Sequence, residues 1–209
     1  MPACFRIWIW GDAHVGTDLD HGRESLAEAF RQSAGSDPKS PSFDWDVALN
    51  VGDLSGSQAA PTDEEGREVV RQYQALVTHP REAVYDIAGN HDRSHPREPA
   101  GWWFRRWVDP LGEHPEYSGV PRDRRPYPIE GTWERYMFTV GNLLFLMMSD
   151  INEPTQQRGR GDLGANPGGV VSGETFEWWK QQVLGHPKHL IVSVHHYMLK
   201  NTTLASGSW

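Results

Sequence analysis

Apolar and polar positions follow two regimes along this chain. In the first half, short apolar runs alternate with stretches of helical spacing. Residues 5–10 are apolar apart from Arg6 and stop at Gly11, which predicts a strand. Residues 46–51 and 83–88 read the same way. Between these strands, residues 23–34 carry Leu26, Ala27 and Phe30 on one face of a predicted helix. Thr62 and Glu65 have capping-box spacing ahead of Val69, Val70, Tyr73, Leu76 and Val77, which predicts a second helix. The order strand, helix, strand, helix, strand predicts an α/β layer with a mainly parallel centre.

The second half is built differently. Residues 93–133 are dense in Pro, Trp, Arg and Gly, with one short helix candidate at 102–108. They read as a rim or lid insertion rather than a second domain. Residues 136–140 and 143–148 flank Gly141-Asn142 and predict a hairpin. A polar, Gly-rich loop is expected at 151–171. A helix follows at 174–184, with Gly185 just past its end, and then a last strand at 189–194.

At 209 residues the chain suits one domain with a real core. Its 20 Lys and Arg against 28 Asp and Glu give a net charge of −8, a field that does not draw in nucleic acid. Nucleic acid is therefore possible but not favoured as a partner. No apolar run approaches bilayer length, so no membrane partner is expected. The single cysteine, Cys4, falls in the first predicted strand and reads as a buried, inert thiol. No basic leader precedes that strand, so the expected location is cytoplasmic. The pattern sets no oligomeric state.

Four segments bring the chemistry, and each directly follows a predicted strand: Asp12-Ala13-His14, Gly52-Asp53, Gly89-Asn90-His91-Asp92 and His195-His196. Residues two apart in extended chain face the same side, so Asp12 and His14 can approach one ion together. Gly11, Gly52 and Gly89 let the backbone turn ahead of the candidate ligands. Carboxylate, imidazole and amide donors suit manganese, iron, zinc or similar, and argue against calcium. His195 and His196, as neighbours, point to opposite sides, so only one of them faces the metals. Asp-x-His or Gly-Asp alone is commonly a turn; the weight lies in four segments agreeing.

In the order Asp, His, Asp, Asn, His, these segments resemble the calcineurin-like metallophosphoesterases, over residues 5–197. The resemblance implies a layered α/β/β/α sandwich with a metal site at the C-terminal ends of the strands, holding two divalent metal ions. It implies that Asp53 bridges the ions, with Asp12 and His14 on one and Asn90 and His195 on the other. His91 would be the catalytic general acid or electrostatic partner of the leaving oxygen, with Asp92 helping to orient it. The implied activity is hydrolysis of phosphomonoesters or phosphodiesters through a metal-bridging hydroxide. Asp12-Ala13-His14-Val15-Gly16 also resembles the DNA exonuclease branch of this fold, which the net charge disfavours. No Gly-His-x-His, the usual last motif of the family, occurs in the chain. The expectation is a domain spanning 1–209 that is C-terminally incomplete and retains metal weakly, with a metal-depleted binding scaffold as the non-catalytic alternative. Trp102, Trp103 and Trp107, with Arg105 and Arg106, are candidates for a lid that stacks on substrate. Arg122, Arg124 and Arg125 read as a solvated cluster.

Overall fold

The structure, a computed structural model, describes residues 4–35, 41–56, 59–95, 97–149 and 171–196. The expected loop at 151–171, apart from Val171, and the polar tail at 201–209 lie outside these residues. Three strands, β1 (Ile7–Trp10), β2 (Val47–Asn50) and β3 (Val84–Asp86), form a parallel sheet in the order β1-β2-β3. A second sheet has the order β4-β5-β6-β7: β4 (Glu130–Gly131), β5 (Arg135–Val140), β6 (Leu143–Met148) and β7 (Leu190–His195). Its first three strands are antiparallel, and β7 joins β6 in parallel after a crossover through α6 (Gly173–Gly185).

Side-chain alternation divides the interior in two. Val47, Leu49, Tyr85 and Ile87 face Tyr136, Phe138, Phe145, Met147 and Val194 of the second sheet, with Tyr85 and Phe138 stacked at 3.9 Å. On the other face of the first sheet, Ala48, Val84 and Ala88 pack with Leu26 and Phe30 of α2 (Ser25–Ser33) and Val69 and Tyr73 of α3 (Asp63–Tyr73). This is the expected layered α/β sandwich. The capping box forms as read: Thr62 accepts from the Glu65 backbone N–H, and the Glu65 carboxylate accepts from the Thr62 N–H at 2.8 Å.

Several local expectations are corrected. A seven-residue helix, α1 (Val15–His21), stands where no helix was expected. Helix α3 stops at Tyr73, because Gln74, Ala75 and Leu76 bond back three residues instead of four, and Val77 projects into solvent. Gly185 is the last residue of α6 rather than the left-handed residue beyond it; His186 is the cap. Cys4 precedes β1 and is exposed. Within 93–133 lie α4 (Trp102–Trp107) and α5 (Pro115–Ser118). Trp103 and Trp107 are buried and donate to the Thr62 carbonyl and the Asp63 carboxylate, so they fasten α4 to the start of α3 and are not displayed to a ligand. Arg106 pairs with Asp63 and Arg105 with Glu113. Arg125 is buried as well, donating to the carbonyls of Glu82 and Val84 across the Tyr85 ring. No helix among the described residues is long and apolar enough to cross a membrane.

Candidate metal centre

The four motif segments leave β1, β2, β3 and β7 at one end of the two sheets, and the backbone between them is tightly specified. The loops after β1 and β2 continue as a zipper beyond the strands. Asp12 N donates to Gly52 O at 2.9 Å, His14 N to Asp53 O at 3.1 Å and Val15 N to Leu54 O at 2.8 Å. Four non-glycine described residues have left-handed backbone, and three of them are Asp12, His14 and Asp53. Such conformations cost on the order of 1–3 kcal/mol each and persist where surrounding bonds impose them. Gly52 has φ 105°, and a Cβ there would lie 2.6 Å from the Gly89 nitrogen, so the β2 and β3 exits touch only because no side chain intervenes.

Asp92 holds the junction. Its buried carboxylate accepts from the backbone N–H groups of Asp53 at 2.9 Å, Ser55 at 2.8 Å and Gly89 at 2.9 Å. Burial, followed by the neighbouring Asp53 charge, pushes its pKa up to about 7 against those donors. The role of Asp92 is thus to fix the ligand-bearing loops, more than to orient His91 alone. Sequence reasoning undervalued it because its partners are backbone groups, two of them in the distant loop after β2.

Asp53 is the hub. Burial acts to raise its pKa, but the imidazole of His196, and then the backbone N–H and ring of His91, outweigh this and hold it low. One of its carboxylate oxygens accepts from His91 N at 2.8 Å; the other lies 3.2 Å from His196 Nε2 and 3.9 Å from His91 Nε2. Two groups of potential donors share it: His14, Asp53 and His91, and Asp12, Asp53 and His196, with ligand atoms within 4.8 Å of one another in each. His14 Nε2 is also 3.8 Å from Asp12, whose side chain is 63% exposed and open to solvent. Asn90 Oδ1 lies 3.0 Å from His196 Nε2.

Of the two adjacent histidines, it is His196, and not His195, that enters this cluster. The signal was present in the chain. Val192 and Val194 face the core between the sheets, and His196 continues their parity along β7. His195, at the end of β7, belongs to the opposite parity.

The donor chemistry fits cations. His14 Nδ1 is 3.1 Å from Ser55 O and His196 Nδ1 is 2.9 Å from Val51 O. Carbonyl oxygens only accept, so both Nδ1 atoms carry a proton and both Nε2 atoms point into the cluster, where each can serve as a ligand atom. At His196, Nε2 faces the Asn90 and Asp53 oxygens, a position that a proton or a bound cation can occupy.

Carboxylates, imidazoles and an amide gathered at the strand ends of a two-sheet α/β protein make a candidate centre for divalent cations. The family model for calcineurin-like phosphoesterases matches residues 5–207, and the chain belongs to that family. No curated protein matches the chain.

Proposed function

We propose that this protein hydrolyses phosphate monoesters or diesters with the help of two divalent cations, manganese, iron, zinc or similar, held by Asp12, His14, Asp53, Asn90 and His196. In this reading His196 takes the place that the resemblance assigned to His195. The observation that supports it most is the buried Asp53 carboxylate, which has His14 on one side and Asp12 and His196 on the other; His91, also within reach of it, is read as the proton donor rather than as a ligand. Cations there would supply Lewis-acid stabilisation of the charge that builds on the phosphoryl oxygens. The residues do the rest. Asp53 and Asn90, fixed by the loop contacts, set the position at which a phosphate is received. His91 is tethered through its backbone N–H to Asp53, with its ring edge-on to His14 at 4.9 Å, and supplies the proton for the departing alcohol oxygen. Residues 93–133 are read as an insertion into a single catalytic domain. An exposed lone cysteine is in keeping with a reducing, cytoplasmic setting.

The test is hydrolysis of p-nitrophenyl phosphate and bis-p-nitrophenyl phosphate with added manganese, alongside metal content by elemental analysis. Asp53→Ala should abolish turnover and lose metal. His91→Ala should lower kcat by about 10²–10⁴-fold while metal content holds. Undiminished turnover in Asp53→Ala would overturn the proposal.

A further inference from the structure

A cavity of about 460 Å³ opens beside the metal centre, and Asp12 and His14 form part of its wall. The rest of the wall is of another character. Trp8 and Trp10 supply two indoles, with ring centroids 6.3 Å apart and planes tilted by 46°. Leu26 and Ala29 of α2 add aliphatic surface. The backs of the indoles pack on Phe30 and Tyr73, which makes the aromatic wall rigid rather than adaptable. Trp10 Nε1 has no hydrogen-bond partner among the described residues. Arg23 stands at the polar edge. Its Nε lies 3.5 Å from Asp18, whose carboxylate is already bonded to the Ser25 N–H and hydroxyl, and its terminal nitrogens have no bond to a described residue.

We propose that this cavity receives the alcohol half of the substrate, and that the preferred substrates are phosphoesters of aromatic alcohols, with an acceptor or acidic group on the ring facing Arg23. The inference rests on the phosphoesterase reading above. A phosphate drawn to cations at Asp12 and His14 can direct its ester oxygen into the cavity, because those two residues belong to both. The volume is in the range of small-molecule pockets, and a rigid aromatic wall favours a flat ring over an alkyl chain of the same length.

Benzyl and ethyl phosphates test this, since their alcohols are of nearly equal acidity and differ in the ring. Hydrolysis of both with added manganese should favour benzyl phosphate at least about tenfold in kcat/KM, the scale expected for burying a ring. Calorimetric titration with benzylphosphonate and ethylphosphonate, which are not hydrolysed, should show a comparable preference in Kd. Two variants locate the effect. Trp10→Leu removes part of the wall, and Ala29→Phe fills the cavity from α2 while leaving both indoles intact; each should bring the benzyl-to-ethyl ratio toward one. Arg23→Gln should weaken binding of 4-carboxybenzylphosphonate more than that of benzylphosphonate. Equal Kd values for the two phosphonates in the parent protein, or a ratio unmoved by Ala29→Phe, would overturn the cavity assignment. Absence of hydrolysis together with a retained benzyl preference in binding would overturn the phosphoesterase reading and leave the cavity standing.

Discussion

Asp12 and Asp92 are both carboxylates of the motif segments, yet the structure assigns them opposite work, and replacing each by alanine separates the two. Asp92→Ala leaves three buried backbone N–H groups, those of Asp53, Ser55 and Gly89, without their acceptor. Each orphaned donor costs about 1–3 kcal/mol, a gross loss of roughly 3–9 kcal/mol. Part is recovered, because the substitution removes a carboxylate whose burial and repulsion by Asp53 push its pKa up to about 7. The net loss should therefore lie near the low end, about 3 kcal/mol, a large fraction of the 5–15 kcal/mol typical of a domain. The Asp12 side chain is 63% exposed, and its one side-chain ion-pair contact among the described residues is with His14 at 3.8 Å, so Asp12→Ala should cost no more than about 1 kcal/mol, chiefly from alanine's poorer fit to the left-handed backbone. Urea unfolding of chelator-treated protein, followed by tryptophan fluorescence, measures both. With manganese at about 100 times its Kd, the parent should gain about 2.7 kcal/mol and Asp12→Ala clearly less. An Asp92→Ala protein within about 1 kcal/mol of the parent would refute the claim that this carboxylate holds the loops together.

Other outcomes follow from the same geometry. His196→Ala should weaken manganese binding by at least about tenfold, as read by calorimetry, while His195→Ala stays near the parent; the reverse result would restore His195 as the ligand. Thr62→Ala removes one half of the α3 capping box and should cost about 1 kcal/mol in urea unfolding, with no change in metal affinity. Tyr73, Tyr85 and Tyr136 are buried, and burial raises all three pKa values, that of Tyr85 to about 12. Since the unfolded chain ionises near 10, their contribution is fully present below pH 10 and is lost as pH climbs, about 3 kcal/mol for Tyr85 once pH passes 12. Absorbance at 295 nm should show these three ionising only together with unfolding; their free titration near pH 10 in the folded protein would contradict the burial.

The elements that could be read from the chain are those whose signal is local. The strands at residues 5–10, 46–51 and 83–88 stood out because apolar runs end at glycine, and Thr62 with Glu65 marked the start of α3. The hairpin around Gly141 was equally plain. What escaped depends on distant contacts. Helix α1 has too few apolar residues to announce itself, and its Asp18 is satisfied by Ser25 in the next helix. Trp103 and Trp107 looked available to a substrate because no local pattern shows that α3 lies across them. In the candidate site, Asp12, His14, Asp53, Asn90 and His91 converge as their positions after strands led one to expect. Which of His195 and His196 lies beside Asp53 depended on which face of β7 meets the core, and the valines of that strand mark that face.

The zipper between the loops after β1 and β2 bears on how such a centre could be rebuilt elsewhere. Because residues 12–15 and 52–54 bond to each other through the main chain, neither segment holds its left-handed turns alone. A transplant of Asp12 and His14 into a foreign scaffold would have to bring the companion loop with it, as one two-stranded cassette. Diversification of the family's chemistry should then fall on side chains around the cassette, while the cassette itself is inherited whole.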